Sequence, residues 1–251
     1  MYKLIITAGC SFSTATGQET WVCDLESHYR DINPSCEFQH LAVASQGNEL
    51  IQKKATRAVL SALTRFRPED VALFVMWTTH DRRGFYLPAE TRDLIEITVW
   101  DNNPIPQQFT DLSGLALPGA GWVHCHGSTA GRNPVSDHYY SYIHSLELGV
   151  HTTLENMLLL DLLGQKTGIF TCSMMIMTRV YDYILGHKSG DLCGHLHSAI
   201  DWSKFDLQGE YDYLRGQPNP DQYFRSDGWH PNRQGHSLWF QQRLVPRLAG
   251  K

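Results

Sequence analysis

The sequence has no excess of positive charge. Its 21 Lys and Arg stand against 26 Asp and Glu, and a formal net charge of −5 offers phosphate backbones and anionic lipid no general attraction. Nucleic acid is therefore not an expected partner. Long apolar runs are missing too: stretches such as Val71–Trp77 fall far short of the roughly 20 residues that a membrane-spanning helix needs, so no membrane span is expected. Residues 1–9 carry one lysine and a short apolar run that enters a glycine turn, which reads as a first strand rather than a secretion signal. Six cysteines (Cys10, Cys23, Cys36, Cys125, Cys172 and Cys193) include no close C-x-x-C pair, which argues against a zinc ribbon or a thioredoxin-like motif. Reduced thiols of a cytoplasmic protein are the simplest reading, because 251 residues can hold together by burial without a disulfide framework. Repeats and low-complexity tracts are also lacking, and 42% hydrophobic with 19% charged residues excludes a disordered or coiled-coil chain.

What is present is an alternation of two periodicities. Compact apolar runs at Leu4–Ala8, 38–44, Val71–Trp77 and 169–175 read as buried parallel strands. Between them, 48–66 places Leu50, Ile51, Ala55, Ala58, Val59, Ala62 and Leu63 on one stripe of a helix. Further helices are expected at 146–163, followed by Gly164 and Gly168, and at 236–244, with Pro246 just beyond. Strands alternating with helices imply an α/β protein, a three-layer αβα sandwich with a parallel sheet and right-handed crossovers, in which residues 1–251 form a single domain. Residues 82–145 break the rhythm, being rich in Pro, Gly, Asn and aromatics, and read as an insertion: a lid, a binding wall or the contact of a homo-oligomer. A second irregular stretch is expected at 186–223.

Chemistry concentrates at the two ends of the chain. The turn Gly9-Cys10-Ser11-Phe12-Ser13 sets the Ser11 hydroxyl at the carboxyl end of the first strand, where open α/β sheets bind ligands. A serine there can also simply cap the next helix. Near the other end stands Asp227-Gly228-Trp229-His230-Pro231-Asn232, then Gly235. A serine hydroxyl attacks a carbonyl only when a neutral imidazole takes its proton, and that imidazole needs a carboxylate to hold its tautomer. Asp227 and His230 supply both from one turn, although turns favour Asp and Gly for purely structural reasons as well.

Taken together, these residues resemble the SGNH hydrolases, the GDSL family of esterases and acylhydrolases. Gly9-Cys10-Ser11 corresponds to the family's Gly-Asp-Ser, with Cys10 in place of aspartate, and Asp227 to His230 corresponds to its Asp-x-x-His, continued by Pro231, Asn232 and Gly235. The resemblance follows block order over nearly the whole chain and rests on these short motifs. It implies a flavodoxin-like SGNH fold and ester hydrolysis through an acyl-enzyme without a cofactor, with Ser11 as nucleophile, His230 as base and Asp227 orienting it. It further implies an oxyanion hole from the backbone N–H groups of Ser11 and Gly47, the latter in Ala44-Ser45-Gln46-Gly47-Asn48, where a turn needing positive φ is the structural alternative. The third block departs from the pattern: Gly-x-Asn-Asp is replaced by Trp77-Thr78-Thr79-His80-Asp81, so Thr79, His80 or Asn48 must stand in for the missing asparagine donor.

His80 and Arg82 are the candidates for touching substrate, Arg82 by facing an anionic group, while Arg83 reads as solvated or paired with a carboxylate such as Glu90. Trp100, Trp122, Tyr139, Tyr140 and Tyr142 suit either a sugar or acyl platform or the packing of the insertion, and packing is favoured. The implied substrate is a small-molecule or carbohydrate ester, served by a carboxylesterase or a carbohydrate O-acetyl esterase. Two rivals remain: a non-catalytic carbohydrate-binding or assembly module on the same fold, and a metal-dependent hydrolase using His124-Cys125-His126 or His195-x-His197 as ligands on extended chain. Neither histidine pair has a clear third ligand nearby, so no metal site is assigned.

Overall fold

The computed structural model describes residues 1–14, 19–44, 46–87, 121–125, 134–187 and 191–248. The chain order is β1 (Leu4–Ala8), α1 (Trp21–Ile32), β2 (Glu37–His40), α2 (Asn48–Ala62), β3 (Val71–Trp77), β4 (Arg83–Leu87), β5 (Gly121–Cys125), α3 (Pro134–His138), α4 (Leu146–Thr167) and β6 (Phe170–Met175). It continues with α5 (Thr178–His187), α6 (Asp191–Ala199), β7 (Phe205–Asp206), α7 (Glu210–Arg215), α8 (Arg233–Trp239) and α9 (Val245–Leu248). Five strands form a parallel sheet in the order β2-β1-β3-β6-β7. Counted along the sheet alone this is 2-1-3-4-5, the doubly wound order of flavodoxin-like folds, as the α/β reading of the sequence anticipates. The chain steps outward from β1 to β2 and then back across β1 to β3. With right-handed crossovers this places α1 and α2 on opposite faces and leaves a crevice at the carboxyl ends of β1 and β3, where the winding reverses.

Burial explains which strands announce themselves. Every residue of β1 and β3 is buried, because helices cover both faces of a central parallel strand and leave it no polar side. The outer strand β2 is shorter than the expected 38–44. Its ladder ends at His40, and the chain then follows β1 only through Leu41 N–H to Thr7 O (2.8 Å) and Val43 N–H to Gly9 O (3.3 Å). On this border Glu37 reaches across to Arg65 at 2.9 Å, and His40 to Glu26 at 3.1 Å.

Other boundaries differ from expectation for local reasons. Helix α1 was not anticipated, although Trp21, Val22, Leu25 and Tyr29 are buried along one stripe of it. Helix α2 stops at Ala62 rather than 66, unwinding through turn bonds from Thr64 and Arg65. Helix α4 runs past Gly164, whose absent Cβ would lie 2.7 Å from Thr171 Cγ2, and ends at Gly168 with φ +78°. The last helix begins three residues earlier than expected, at Arg233, where the Asn232 side chain accepts from Gly235 N–H. It does not stop before Pro246: a wide π turn at Phe240–Leu244 leads into α9, accommodating the residue that lacks an N–H. The stretch 186–223, expected to be irregular, contains α6, β7 and α7. Within 82–145 the described parts are an antiparallel β4–β5 ladder, α3 and a π turn at Tyr139–Ile143. Glu90 and Trp100 lie outside the described residues, as does the side chain of Trp122.

Among the described residues no helix is long and apolar enough to cross a membrane, and Cys10, Cys23, Cys36, Cys172 and Cys193 are unbridged. Helices α7 and α8 are joined by a pair shut away from water, His236 Nδ1 to Glu210 Oε1 at 2.6 Å, with side chains 1% and 0% exposed. Burial pushes the Glu210 carboxyl up, opposed by His236. Removing one partner of such a pair strands the other, so H236A should lower unfolding stability by about 3–5 kcal/mol in a urea titration. E210Q, which can still accept the same hydrogen bond, should cost only about 1 kcal/mol.

Candidate active site

The turn that carries Ser11 is fixed on every side. A Cβ on Gly9 would sit 2.8 Å from Ser13 Cβ and 3.3 Å from the Met76 carbonyl, so only glycine lets β1 turn this tightly. The Gln46 side-chain amide donates to the Gly9 carbonyl. Ser13, fully buried, accepts from Trp21 Nε1 at 3.1 Å, which anchors the turn to α1. Ser11 opens a single 3-10 turn, and its side chain caps no helix. Its Oγ instead lies 3.0 Å from His230 Nε2, across 219 residues of chain.

His230 sits on a loop that closes on itself. Phe224 and Pro231 form an antiparallel bridge, Arg225 N–H donates to the His230 carbonyl at 2.9 Å, and Asn232 Nδ2 donates to the carbonyls of Gln222 (2.7 Å) and Phe224 (3.1 Å). Gly228 takes φ +68°, a conformation that costs other L-residues about 1 kcal/mol or more. This turn brings Asp227 Oδ2 within 2.7 Å of His230 Nδ1, while Asp227 Oδ1 accepts the N–H groups of Trp229 (2.8 Å) and His230 (2.9 Å). The buried Phe12 ring backs the imidazole at 5.3 Å. Partial burial pushes the Asp227 carboxyl up, but the two backbone donors and the imidazole outweigh it and hold the group below its usual range.

The loop is seated on the body through α8. Arg233 donates through both terminal nitrogens to Asp24 at 2.6 Å each and through Nε to Glu19 at 2.8 Å, and Ser237 Oγ also reaches Asp24. Trp21 and Trp239 meet edge-on 6.1 Å apart beneath this contact.

The second and third blocks form the opposite wall. Gly47 precedes α2 with φ −84°, so positive φ is not its requirement. Its missing side chain is instead demanded by the Arg82 carbonyl, 2.7 Å from where a Cβ would lie. Gly149 on α4 faces the His80 carbonyl at 2.6 Å in the same manner, so two glycines seat the loop after β3. Asn48 is buried and fully engaged: its amide donates to the Thr78 carbonyl (3.2 Å) and Thr153 Oγ1 (3.1 Å), and its oxygen accepts from Thr78 N–H at 2.9 Å. With both amide protons committed, Asn48 has none left for an oxyanion, and the candidate donor is replaced by a brace. Thr79 follows at the half-exposed tip of the loop. Tyr140, from the segment expected to be an insertion, donates to the Asp81 carbonyl at 2.6 Å. Its neighbour Tyr139 is buried beside Phe85, whereas Tyr142 is 81% exposed. Arg83 pairs at 3.8 Å with the buried Glu49, a partner not foreseen from the sequence. Arg82 is half-buried, with its backbone against Gly47.

His195 and His197 do not come together as paired ligands. His195 and His197 lie on α6, not on extended chain, and a spacing of two on a helix turns side chains to different faces. His197 instead packs against Trp202 at 4.9 Å and Tyr181 at 6.3 Å. His126 lies outside the described residues, as do the side chains of His124 and Cys125. Among the described residues no three His, Cys, Asp or Glu side chains cluster as a metal site.

Comparison with known proteins is informative at the level of fold. No family model and no curated protein matches the sequence. Among solved structures, a lipase from a goat rumen metagenome is similar at 9% identity, covering 98% of this chain and 97% of that one, with a TM-score of 0.50. A psychrotrophic esterase, EstA from Pseudoalteromonas sp., is similar at 13% identity over 99% and 100% of the two chains, with a TM-score of 0.48. A GDSL-like lipase from Bacteroides thetaiotaomicron is similar at 10% identity over 98% and 87%, with a TM-score of 0.42. The rumen lipase bears on the fold, and shares the α/β sandwich with its parallel sheet.

Two measurements test the geometry of the site. N48A leaves the buried Thr78 N–H without its acceptor and should cost about 1–3 kcal/mol of stability by chemical denaturation. Because Asp227 has a lower pKa folded than unfolded, its contribution to stability is present above the unperturbed value of 3.8 and is lost as the pH falls through the folded value. A series of urea titrations against pH should show that acid-side loss flattened in D227N.

Proposed function

We propose that this chain is a serine hydrolase of the SGNH type that cleaves esters through an acyl-enzyme. The observation that carries the reading is the unbroken line of hydrogen bonds from Ser11 Oγ to His230 Nε2 at 3.0 Å and from His230 Nδ1 to Asp227 Oδ2 at 2.7 Å. Three side chains from opposite ends of the sequence meet in the order that nucleophile, base and orienting carboxylate require.

In this reading Ser11 Oγ attacks the ester carbonyl as His230 Nε2 takes its proton. Asp227 holds the proton on Nδ1 and stabilises the imidazolium. The developing oxyanion is met by the N–H groups of Ser11 and Gly47, the latter at the positive end of α2, with the Thr79 hydroxyl as third donor. Collapse expels the alcohol, protonated by His230, and leaves the acyl group on Ser11. Water, deprotonated by His230, then releases the acid and restores the serine. The substrate is a small-molecule or carbohydrate ester, and the enzyme a carboxylesterase or carbohydrate O-acetyl esterase.

S11A and H230A should each reduce kcat on p-nitrophenyl acetate on the order of 10⁴-fold or more with the fold retained, and D227A should be tens of times less severe. A fluorophosphonate should label the Ser11 peptide of the wild type and leave S11A unlabelled. Labelling elsewhere, or near-wild-type turnover in S11A, would overturn the assignment.

A further inference from the structure

Arg215 has no part in the proton transfers, yet it is held by three hydrogen bonds and a ring contact at the border of the loop that makes them. It closes α7, and its guanidinium carbon lies over the Phe224 ring, 4.1 Å from the centroid. Nε donates to Tyr211 Oη at 3.2 Å, Nη1 to Asp221 Oδ1 at 2.8 Å, and Nη2 to the Gly228 carbonyl at 2.5 Å. That last contact joins Arg215 to the site. The Gly228 carbonyl belongs to the same peptide group as the Trp229 N–H, which donates to Asp227 Oδ1 at 2.8 Å. One rigid plane therefore carries a cation on its oxygen and the orienting carboxylate on its nitrogen.

Two physical effects follow from this arrangement. A positive group on a peptide oxygen polarises the amide and strengthens its N–H as a donor, since hydrogen bonds in a chain reinforce one another. The plane is also free to rotate in principle, because Gly228, at φ +68°, lacks the side chain that limits other residues. Rotation would take the carbonyl off Arg215 and the N–H off Asp227 together, so the bond to Arg215 opposes it. We propose that Arg215 is a positioning residue, which acts through the Gly228–Trp229 peptide to lock and polarise the donor that holds Asp227 against His230.

The proposal rests on the hydrolase reading for its effect on turnover, but not for its effect on the Asp227–His230 contact. R215M keeps an unbranched apolar stem but removes the guanidinium, and with it the charge, the donors and the contact with Phe224. It should lower kcat about 10–100-fold with KM changed less than about 2-fold, because only the transition state draws on the orientation of the base. Independently of turnover, proton NMR of the wild type should show a low-field imidazole N–H resonance that is absent in H230A, and R215M should lose it through faster exchange with water. R215K separates positioning from packing: it keeps a cation for the Gly228 carbonyl but loses the fork to Asp221 and Tyr211, and should retain the resonance and most of kcat. A folded R215M with wild-type kcat and an unchanged resonance overturns the proposal, as does an R215K that falls as far as R215M. Wild-type protein that hydrolyses no ester but loses its resonance in R215M would refute the hydrolase reading and leave the positioning role standing.

Discussion

The salt bridge between Arg233 and Asp24 is the contact on which the geometry of the rim depends. It is bidentate, 2.6 Å on each arm, and a planar guanidinium meeting a carboxylate this way fixes orientation as well as distance. Asp24 belongs to the helix after the first strand, and Arg233 stands three residues beyond His230. The imidazole is thus registered against the same helix that anchors the Ser11 turn through Trp21 and Ser13. The Ser11 hydroxyl and the His230 imidazole share a single reference point, so a displacement of α1 carries both along and leaves their separation little changed.

The wall facing them is built by subtraction. Gly47 and Gly149 matter for what they leave out, since two carbonyls of the loop after β3 occupy the volume a methyl group would need. Asn48 then fastens that loop from beneath by bonding both the N–H and the carbonyl of Thr78. The asparagine of this wall stands at the base of the loop, where it is spent on rigidity. Whatever group at the tip donates a hydrogen bond is held by a backbone with little freedom to move, and that is the condition under which a fixed dipole stabilises developing charge best.

Much of this was legible in the sequence where one physical cause dominates. Central strands covered on both faces must be apolar throughout, so β1 and β3 are found to the residue, and the spacing of Asp227 and His230 reports a turn able to join carboxylate to imidazole. The expected outer strand, 38–44, is longer than β2 because half the environment of this strand is solvent, which imposes no pattern. Helix α1 carries a buried stripe, Trp21, Val22, Leu25 and Tyr29, that the strand-and-helix pattern read from the sequence does not include. The His195 and His197 pairing failed because the spacing was read on extended chain and the residues fold into a helix. Asn48 and Gly47 illustrate a different limit. Both are candidates by residue type, but the partners that decide what they do in the fold, Thr78 and Arg82, lie thirty or more positions away. Arg215 carried no local signal at all, since its importance comes from a carbonyl thirteen residues later.

The distance along the chain between Ser11 and His230 has a consequence for the newborn protein. During synthesis the Ser11 hydroxyl is made 219 residues before the imidazole that it meets in the folded chain. Until the segment that carries Asp227, His230 and Arg233 has been synthesised and has seated itself on α1, the serine lacks its imidazole partner. The Ser11–His230–Asp227 line therefore forms only after the segment that carries His230 has docked, and a chain broken off before that segment cannot assemble it.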